Sequence, residues 1–382
     1  MADRWHTGGM AYGGSLTTPP RPLRLGAAVV PAVGRARMYV CGITPYDVTH
    51  LGHASTFIWA DAVDKVLSWS GNTVTVARNV TDVDDVLYAE ARRRRQDPTL
   101  FGAVQRAAFE ATMTTLRVRK PHLQPTAAQA IGHVIQLAAT LLATDHAYLR
   151  DGTVYARTAG AAPDLDRARA LELAAEYHDE PDDPGKDDPL DVAVWRPCAD
   201  DDVTWPSPWG PGRPGWHAEC AAMVLALFGT GVDVHCGGAD LAYPHHACEA
   251  ALAEAATGVR PFARSWLRAG VVALDGQKMS KSVGNLVLVE DLLRTYSPAA
   301  IRMLCLNRPH AAPWSYTEDL LDAAATTLED LYAAAAKPGT SLVSTALADA
   351  LLTDLDIPAA IGTALAEGGA TARALIDILA LS

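Results

Sequence analysis

Short apolar runs and amphipathic stretches alternate along the first part of the chain. Residues 38–40 are an apolar run that predicts a short buried strand, which the turn formers at 41–42 end. Apolar residues at helical spacing across 49–63 predict a helix. A turn at 71–72 and a second apolar run at 74–76 then predict another strand. This β-α-β order favours an open α/β sheet, in which ligands bind at the carboxyl ends of the strands.

The same alternation continues downstream. Residues 232–234 predict a strand, and a helix follows from 244 to about 256. Residues 262–275 predict one more pair of strands, residues 100–148 have helical spacing, and residues 154–155 predict an edge strand. The last part of the chain is Ala-rich and helical in pattern, and Pro358 predicts a late helix start.

These patterns divide the chain into six predicted regions. They are a flexible N-terminal arm (1–36), the first half of a catalytic domain (37–125), a connective insertion (126–195), the second half of that domain (196–275), a basic loop with a following segment (276–315) and a short helical bundle (316–382).

Composition narrows the class of protein. The chain has 382 residues, of which 49% are hydrophobic and 20% charged, as in a globular protein with a large core. A net charge of -12 argues weakly against a broad nucleic-acid surface. No uncharged apolar stretch approaches the length of about 18 residues that a membrane span needs. Six scattered cysteines favour a cytoplasmic protein with reduced thiols or a metal site. We also expect a monomer.

Two separated motifs have the chemistry to hold phosphates. His50, Gly52 and His53 lie where a strand, a glycine turn and a helix start present backbone N–H groups to an anion. Far downstream, Lys278 and Lys281 lie in a dibasic loop suited to a triphosphate. The simpler alternatives are an ordinary helix start with exposed histidines and a solvated turn.

The two motifs together resemble the signature pair of class I aminoacyl-tRNA synthetases, which activate amino acids with ATP as aminoacyl-adenylates. The resemblance implies an α/β fold with a Rossmann-like nucleotide-binding domain, a mostly helical insertion and a short C-terminal helical region. It also implies catalytic roles for four residues. His50 and His53 would contact the phosphates of MgATP, and Lys278 and Lys281 would steady the pyrophosphate. A non-catalytic, synthetase-like binding protein remains the alternative of a different class.

Three distant residues form a candidate metal site. Cys41, Cys220 and His245 each follow a predicted strand of the same sheet, so their loops converge if the strands are neighbours. Two thiolates and an imidazole suit one Zn²⁺ and leave its fourth position open. An open position on a soft metal would select a thiol, and hence cysteine over serine. Glu249, one helical turn after His245, is a candidate fourth ligand or a supporting partner. The alternative is a set of unrelated buried residues.

A narrower resemblance involves the cysteine branch of this superfamily. The segment 212–220 and Glu249 are similar to cysteinyl-tRNA synthetases, whereas 41–47, 49–53 and 188–191 resemble the mycothiol cysteine ligases. By that likeness, the pocket for ATP and the cysteinyl-adenylate would be lined by Cys41, Gly42, Ile43, Thr44, Thr56, Asn79, Val80, Thr81, Trp216, Gly238, Ala239, Asp240 and Val272.

The resemblance also implies the substrates. They are ATP, L-cysteine and a small amine, with glucosaminyl-inositol favoured. The stretch after Tyr316 is poor in Lys and Arg, so we expect no tRNA-reading module and no tRNA partner. Residues 179–184 differ from the corresponding loop of the mycothiol ligases, and His235 and Glu249 are more like the synthetases. A related ligase for another amine, or a truncated cysteinyl-tRNA synthetase, therefore remains open.

Overall fold

The computed structural model describes residues 21–46, 48–198, 203–279, 284–338 and 342–382. The strands in chain order are β1 (Arg24–Leu25), β2 (Ala28–Val29), β3 (Arg35–Ile43), β4 (Thr73–Val80), β5 (Ala147–Arg150), β6 (Thr153–Ala156), β7 (Val192–Pro197), β8 (Gly212–Pro214), β9 (Val234–Gly238), β10 (Trp266–Ala269), β11 (Val272–Leu274), β12 (Gln277–Lys278) and β13 (Trp314–Tyr316). The helices are α1 (Leu51–Trp69), α2 (Asp85–Arg93), α3 (Pro98–Thr115), α4 (Ala127–Ala143), α5 (Arg167–Glu176), α6 (Trp216–Phe228), α7 (Ala247–Thr257), α8 (Val289–Leu292), α9 (Pro298–Leu306), α10 (Glu318–Ala335), α11 (Thr345–Leu352), α12 (Ile357–Glu367) and α13 (Gly369–Leu379).

A parallel sheet lies at the centre of the molecule, with the strand order β10-β9-β3-β4. Met38 of β3 pairs with Val76 of β4 on one side and with Val234 of β9 on the other. Because all four strands are parallel, their carboxyl ends lie along one edge of the sheet. The predicted β-α-β order and the α/β class are confirmed.

Helix α1 packs against the central sheet and is largely buried. Fourteen of the nineteen residues of α1 are buried, because the helix lies between the sheet and the C-terminal helices α9 and α13. A helix that is apolar on most sides belongs in a core of this kind. The large side chains of Trp59 and Ile58 are at most 1% exposed there.

The insertion contains an antiparallel sheet with the order β5-β6-β7-β8. The prediction of an edge strand at Val154 and Tyr155 is wrong, because β6 pairs with strands on both of its sides. This sheet runs on to Pro214, beyond the insertion boundary predicted at residue 195. Gly215 then leads directly into α6, which begins at Trp216.

The ends of the described chain pack against each other. Residues 23–30, which the sequence assigned to a loose arm, contain the hairpin β1–β2, and Leu23 and Leu25 are at most 3% exposed. The backbone N–H of Asp354 donates to the carbonyl of Arg24 at 3.0 Å. Pro358 lies in the first turn of α12, as predicted. Among the described residues, none of the helices has the length and apolar character that crossing a bilayer requires.

Candidate active site

A cavity of about 280 Å³ opens at the carboxyl edge of the central sheet. Seven of the predicted site residues line it: His50, His53, Thr56, Gly238, Asp240, Val272 and Lys278. The structure therefore brings both histidines of the first phosphate motif and the first lysine of the second to one cavity.

The two histidines are held by the start of α1. His50 is the N-cap of this helix, and its Nδ1 accepts a hydrogen bond from the backbone N–H of Gly52 at 3.1 Å. Its ring stacks on that of His53, with 3.8 Å between the ring centroids. The positive end of the α1 dipole and two imidazoles thus meet at the cavity, an arrangement that favours a bound anion.

Lys278 lies on the opposite side of the cavity. Its Nζ donates to a carboxylate oxygen of Asp240 at 2.8 Å and to the hydroxyl of Tyr177 at 3.5 Å. Burial acts to lower the pKa of Lys278, but the Asp240 carboxylate outweighs it, and the pKa is raised above its ordinary value. Lys278 is therefore a cation at neutral pH. Lys281 lies outside the described residues.

The carboxyl ends of the neighbouring strands β3 and β4 are linked by hydrogen bonds. The backbone N–H of Gly42 donates to Asn79 Oδ1 at 2.7 Å, and Asn79 Nδ2 donates to Thr81 Oγ1 at 3.1 Å. The backbone N–H of Thr81 donates to the carbonyl of Ile43 at 2.9 Å. The neighbouring Thr44 hydroxyl bonds the Asp84 carboxylate. The predicted pocket segments 41–44 and 79–81 therefore form one rigid unit.

The candidate metal residues also converge. The ligand atoms of Cys41, Cys220 and His245 lie within 4.8 Å of one another, and all three side chains are buried. Cys41 is near the end of β3, Cys220 is in the second turn of α6, and His245 is in the turn Ala242–His246 before α7. A hydrogen bond from Cys41 lowers the pKa of the Cys220 thiol, whereas burial raises that of Cys41. Burial lowers the pKa of His245 to about 3, so its imidazole is neutral.

The donor set suits a soft metal ion. Two thiols and a neutral imidazole are the ligand types that such an ion prefers. Cys41 also belongs to a second buried set with His235 and His246, again within 4.8 Å. The Nδ1 atoms of these two histidines are buried without a hydrogen-bond partner among the described residues. Buried polar atoms of this kind are costly in a protein interior unless something pairs with them.

Glu249 is not in either of these sets. Its Oε1 lies 2.9 Å from Nε2 of His235, and both side chains are fully buried. A direct metal bond from Glu249 therefore stays a prediction, and the contact that the structure shows is with a histidine.

Aromatic rings connect the metal residues to the cavity. Trp216 stacks on His245 with 4.2 Å between centroids, and Tyr177 stacks on Trp216 at 6.1 Å. Tyr177 in turn contacts Lys278. The remaining predicted pocket residue, Ala239, lies in the turn Ala239–Leu241 beside Asp240.

Sequence reasoning missed three residues at this site. His217 lies 3.0 Å from His245, measured between their Nδ1 atoms, and Asp179 contacts the other side of the His217 ring. Tyr177 is the third. His217 lies next to Trp216 in the segment 212–220, which resembles cysteinyl-tRNA synthetases. No sequence pattern indicates that His217 contacts Asp179 in the loop after α5.

Comparisons with known proteins identify the family. Residues 29–326 match the family described as tRNA synthetases class I (C) catalytic domain. Three relatives are each named L-cysteine:1D-myo-inositol 2-amino-2-deoxy-alpha-D-glucopyranoside ligase. The protein from Frankia casuarinae is 41% identical over 91% of this chain and 78% of the relative. The Rhodococcus jostii protein is 43% identical over 85% of this chain and 82% of the relative. The Mycobacterium marinum protein is 42% identical over 88% of this chain and 84% of the relative.

A solved structure shows the same fold. Methionyl-tRNA synthetase of Mycobacterium tuberculosis, in complex with methionyl-adenylate, aligns with 91% of this chain and 82% of its own, with a TM-score of 0.61 and 18% identity. The chain therefore belongs to the class I tRNA synthetase (C) catalytic-domain family, and within it to the group that contains these cysteine ligases. This membership confirms the predicted fold class and the predicted relation to the mycothiol cysteine ligases. The prediction of an ATP-dependent amide-forming ligase agrees with the names of the relatives.

Proposed function

We propose that this protein activates L-cysteine with MgATP as cysteinyl-adenylate and transfers the cysteinyl group to the amine of glucosaminyl-inositol. The observation that carries the proposal is the convergence of Cys41, Cys220 and His245, which aromatic rings connect to the cavity lined by both histidines and Lys278. The names of the relatives support both the amino acid and the acceptor.

Cysteine selection follows from the ligand set. Cys41, Cys220 and His245 would hold one Zn²⁺, which supplies an open position for a thiolate when it is bound. A hydroxyl is a poorer ligand for such a soft site, so serine is rejected. Trp216 stacks on His245 and would help to keep water away from a bound metal ion.

Activation uses the cavity residues. The carboxylate of cysteine attacks the α-phosphorus of ATP, and pyrophosphate leaves. His50 and His53 donate hydrogen bonds to the phosphates as negative charge develops there, and Lys278, with Lys281, pairs with the departing pyrophosphate. Lys278 must exchange its contact with Asp240 for the phosphates, which leaves Asp240 available to a ribose hydroxyl.

Amide formation completes the reaction. The neutral amine of the acceptor attacks the carbonyl carbon of the mixed anhydride, and AMP leaves with the bonding electron pair. The amine passes one proton to a base, either Asp240 or the phosphate of AMP. The interlocked segments 41–44 and 79–81 hold the adenylate in place for this attack. We propose the cytoplasm as the location, since all six cysteines are free thiols and thiols persist there.

Cysteine-dependent exchange of labelled pyrophosphate into ATP tests the activation step. We expect exchange with cysteine and at least about 100-fold less with serine or alanine, because a site built for one polar atom penalises a substrate that lacks it. Equal exchange with serine would contradict the metal-based selection, and no exchange at all would favour a non-catalytic binding protein.

The acceptor needs a separate experiment. Incubation with ATP, cysteine and glucosaminyl-inositol, followed by mass spectrometry, should yield the cysteinyl amide and AMP. Parallel reactions contain glucosamine alone or tRNA in place of the acceptor. Exchange activity without any amide would show that the chain acts on a different amine.

A further inference from the structure

Asp179, His217 and His245 form a chain of hydrogen-bonding groups that ends at the metal residues. Nε2 of His217 lies 2.9 Å and 3.0 Å from the two carboxylate oxygens of Asp179. Nδ1 of His217 lies 3.0 Å from Nδ1 of His245. Both rings are 1% exposed, so water does not compete for these contacts.

These hydrogen bonds define which nitrogen of each histidine ring carries a hydrogen. A carboxylate only accepts hydrogen bonds, so Nε2 of His217 is the N–H that donates to Asp179. In the neutral ring, Nδ1 of His217 is then the acceptor, and His245 donates to it from its own Nδ1. The lone pair of His245 is consequently on Nε2, which leaves this nitrogen available to a metal ion.

The position of Asp179 is itself supported. Asp179 follows α5, and the α5 residues Ala170 and Ala174 pack in one buried cluster with Tyr243 of the turn that carries His245. The ammonium group of Lys186 donates to the backbone carbonyl of Asp179. The insertion therefore holds its carboxylate against the metal residues by packing as well as by hydrogen bonds.

We propose that Asp179 is a positioning residue, which acts through His217 to hold His245 in the tautomer and orientation needed for metal-dependent cysteine binding. The inference rests on the proposed function, because it assumes that the cluster of Cys41, Cys220 and His245 binds Zn²⁺. Groups of this kind, one shell away from the metal, change metal affinity by about 10- to 100-fold when they are removed.

The test compares Asp179→Asn with Asp182→Asn, which removes the same charge from an exposed residue of the same loop. Affinities of the full-length protein for Zn²⁺ and Co²⁺ are measured by competition with a chelator. We expect Asp179→Asn to weaken both about 10- to 100-fold and to shift the visible absorption bands of bound Co²⁺. Asp182→Asn should match the wild type, and Asp179→Glu should recover part of the affinity.

A double-mutant cycle separates positioning from a general structural effect. His217→Asn retains a side-chain acceptor for His245 but loses the link to Asp179. In that background, Asp179→Asn should have no further effect on metal affinity, because the path between the residues is already broken. The KM for cysteine should rise in Asp179→Asn while the KM for ATP stays unchanged.

The outcomes distinguish this inference from the proposed function. A wild-type protein that binds neither ion would contradict the proposed cysteine site as a whole. If the wild type binds metal and Asp179→Asn has the same metal affinity, the positioning role alone is overturned. The same holds if the effects of Asp179→Asn and His217→Asn on metal affinity are fully additive. If Asp179→Asn does not fold, Asp179→Glu and His217→Asn provide the same comparison.

Discussion

The guanidinium of Arg302 donates to the carboxylate of Asp61 at 2.6 Å, and both side chains are at most 1% exposed. Arg302 also donates to the carbonyls of Leu379 at 2.9 Å and Leu116 at 3.0 Å. One side chain of α9 thus connects α1, the end of α3 and α13. We infer that this contact joins the C-terminal helices to the catalytic fold.

Replacing Arg302 by Met should lower the free energy of unfolding by about 3–5 kcal/mol, because it leaves a buried carboxylate short of a partner. Urea unfolding measures the change. Arg21→Ala is the control, since Arg21 pairs with Asp349 at 2.8 Å but their side chains are 68% and 50% exposed. That substitution should cost about 1 kcal/mol or less. Equal effects of the two would show that the buried pair does not stabilise the fold.

Gly42→Ala should abolish pyrophosphate exchange. A Cβ at residue 42 would lie 1.6 Å from the backbone oxygen of Asn79, so the segment 79–81 must move away from the cavity. We expect the exchange rate to fall about 100-fold or more, as for other misplaced site groups. Gly132→Ala in α4 is the control, because its Cβ meets nothing within 4 Å. It should leave exchange unchanged and stabilise the helix by about 0.5–1 kcal/mol.

Cys220→Ala should reduce bound zinc to well below one ion per chain, measured by elemental analysis after purification. The substitution removes one of two thiols from the converging set. Cys248→Ala is the matched control, since Cys248 is an equally buried thiol of α7 outside the sets around Cys41. Zinc retained in Cys220→Ala, or lost in Cys248→Ala, would contradict the assignment of the ligands.

Stability of the metal-free protein should fall as the pH decreases from 7 to 5. Burial lowers the pKa of His245 to about 3, whereas an unfolded histidine has a pKa near 6.5. The unfolded chain therefore takes up a proton in this window and the folded chain does not, so acid favours unfolding. His245 alone would account for up to about 2 kcal/mol at pH 5.

Urea unfolding at pH 7 and at pH 5 measures this dependence. His245→Asn should reduce it but not abolish it, because burial also lowers the pKa of His53 and His246. Replacing the exposed His133 of α4 by Asn should leave it unchanged. A wild-type protein that is equally stable at both values would contradict the buried, neutral state of His245.

The sequence predicted the parts of the site that depend on strand ends. Cys41 and Gly238 lie at the carboxyl ends of β3 and β9, and Asp240 follows β9. The carboxyl ends of neighbouring parallel strands lie along one edge of a sheet. The partner of His217 was beyond this reasoning, because Asp179 lies in a loop without periodicity, and its position depends on how α5 packs. The strands of the insertion were also missed in part, since β5, β6 and β8 are each four residues or fewer.

The contacts of Glu249 also could not be predicted from the sequence. Helical spacing predicted that Glu249 and His245 face the same side of a helix, but spacing does not reveal which other side chains lie nearby. His235, from β9, reaches the same carboxylate and accounts for one of its oxygens. Which of two nearby partners a buried acid chooses depends on tertiary distances that no local pattern encodes.

The strand β8 ends at Pro214, and α6 starts two residues later with Trp216, followed by His217 and Cys220. Gly215 alone therefore joins the inserted sheet to the helix that carries Cys220. Replacing this insertion by that of a relative would therefore also change part of the amino-acid selectivity. The junction of a chimeric protein should lie after the C-terminal end of α6.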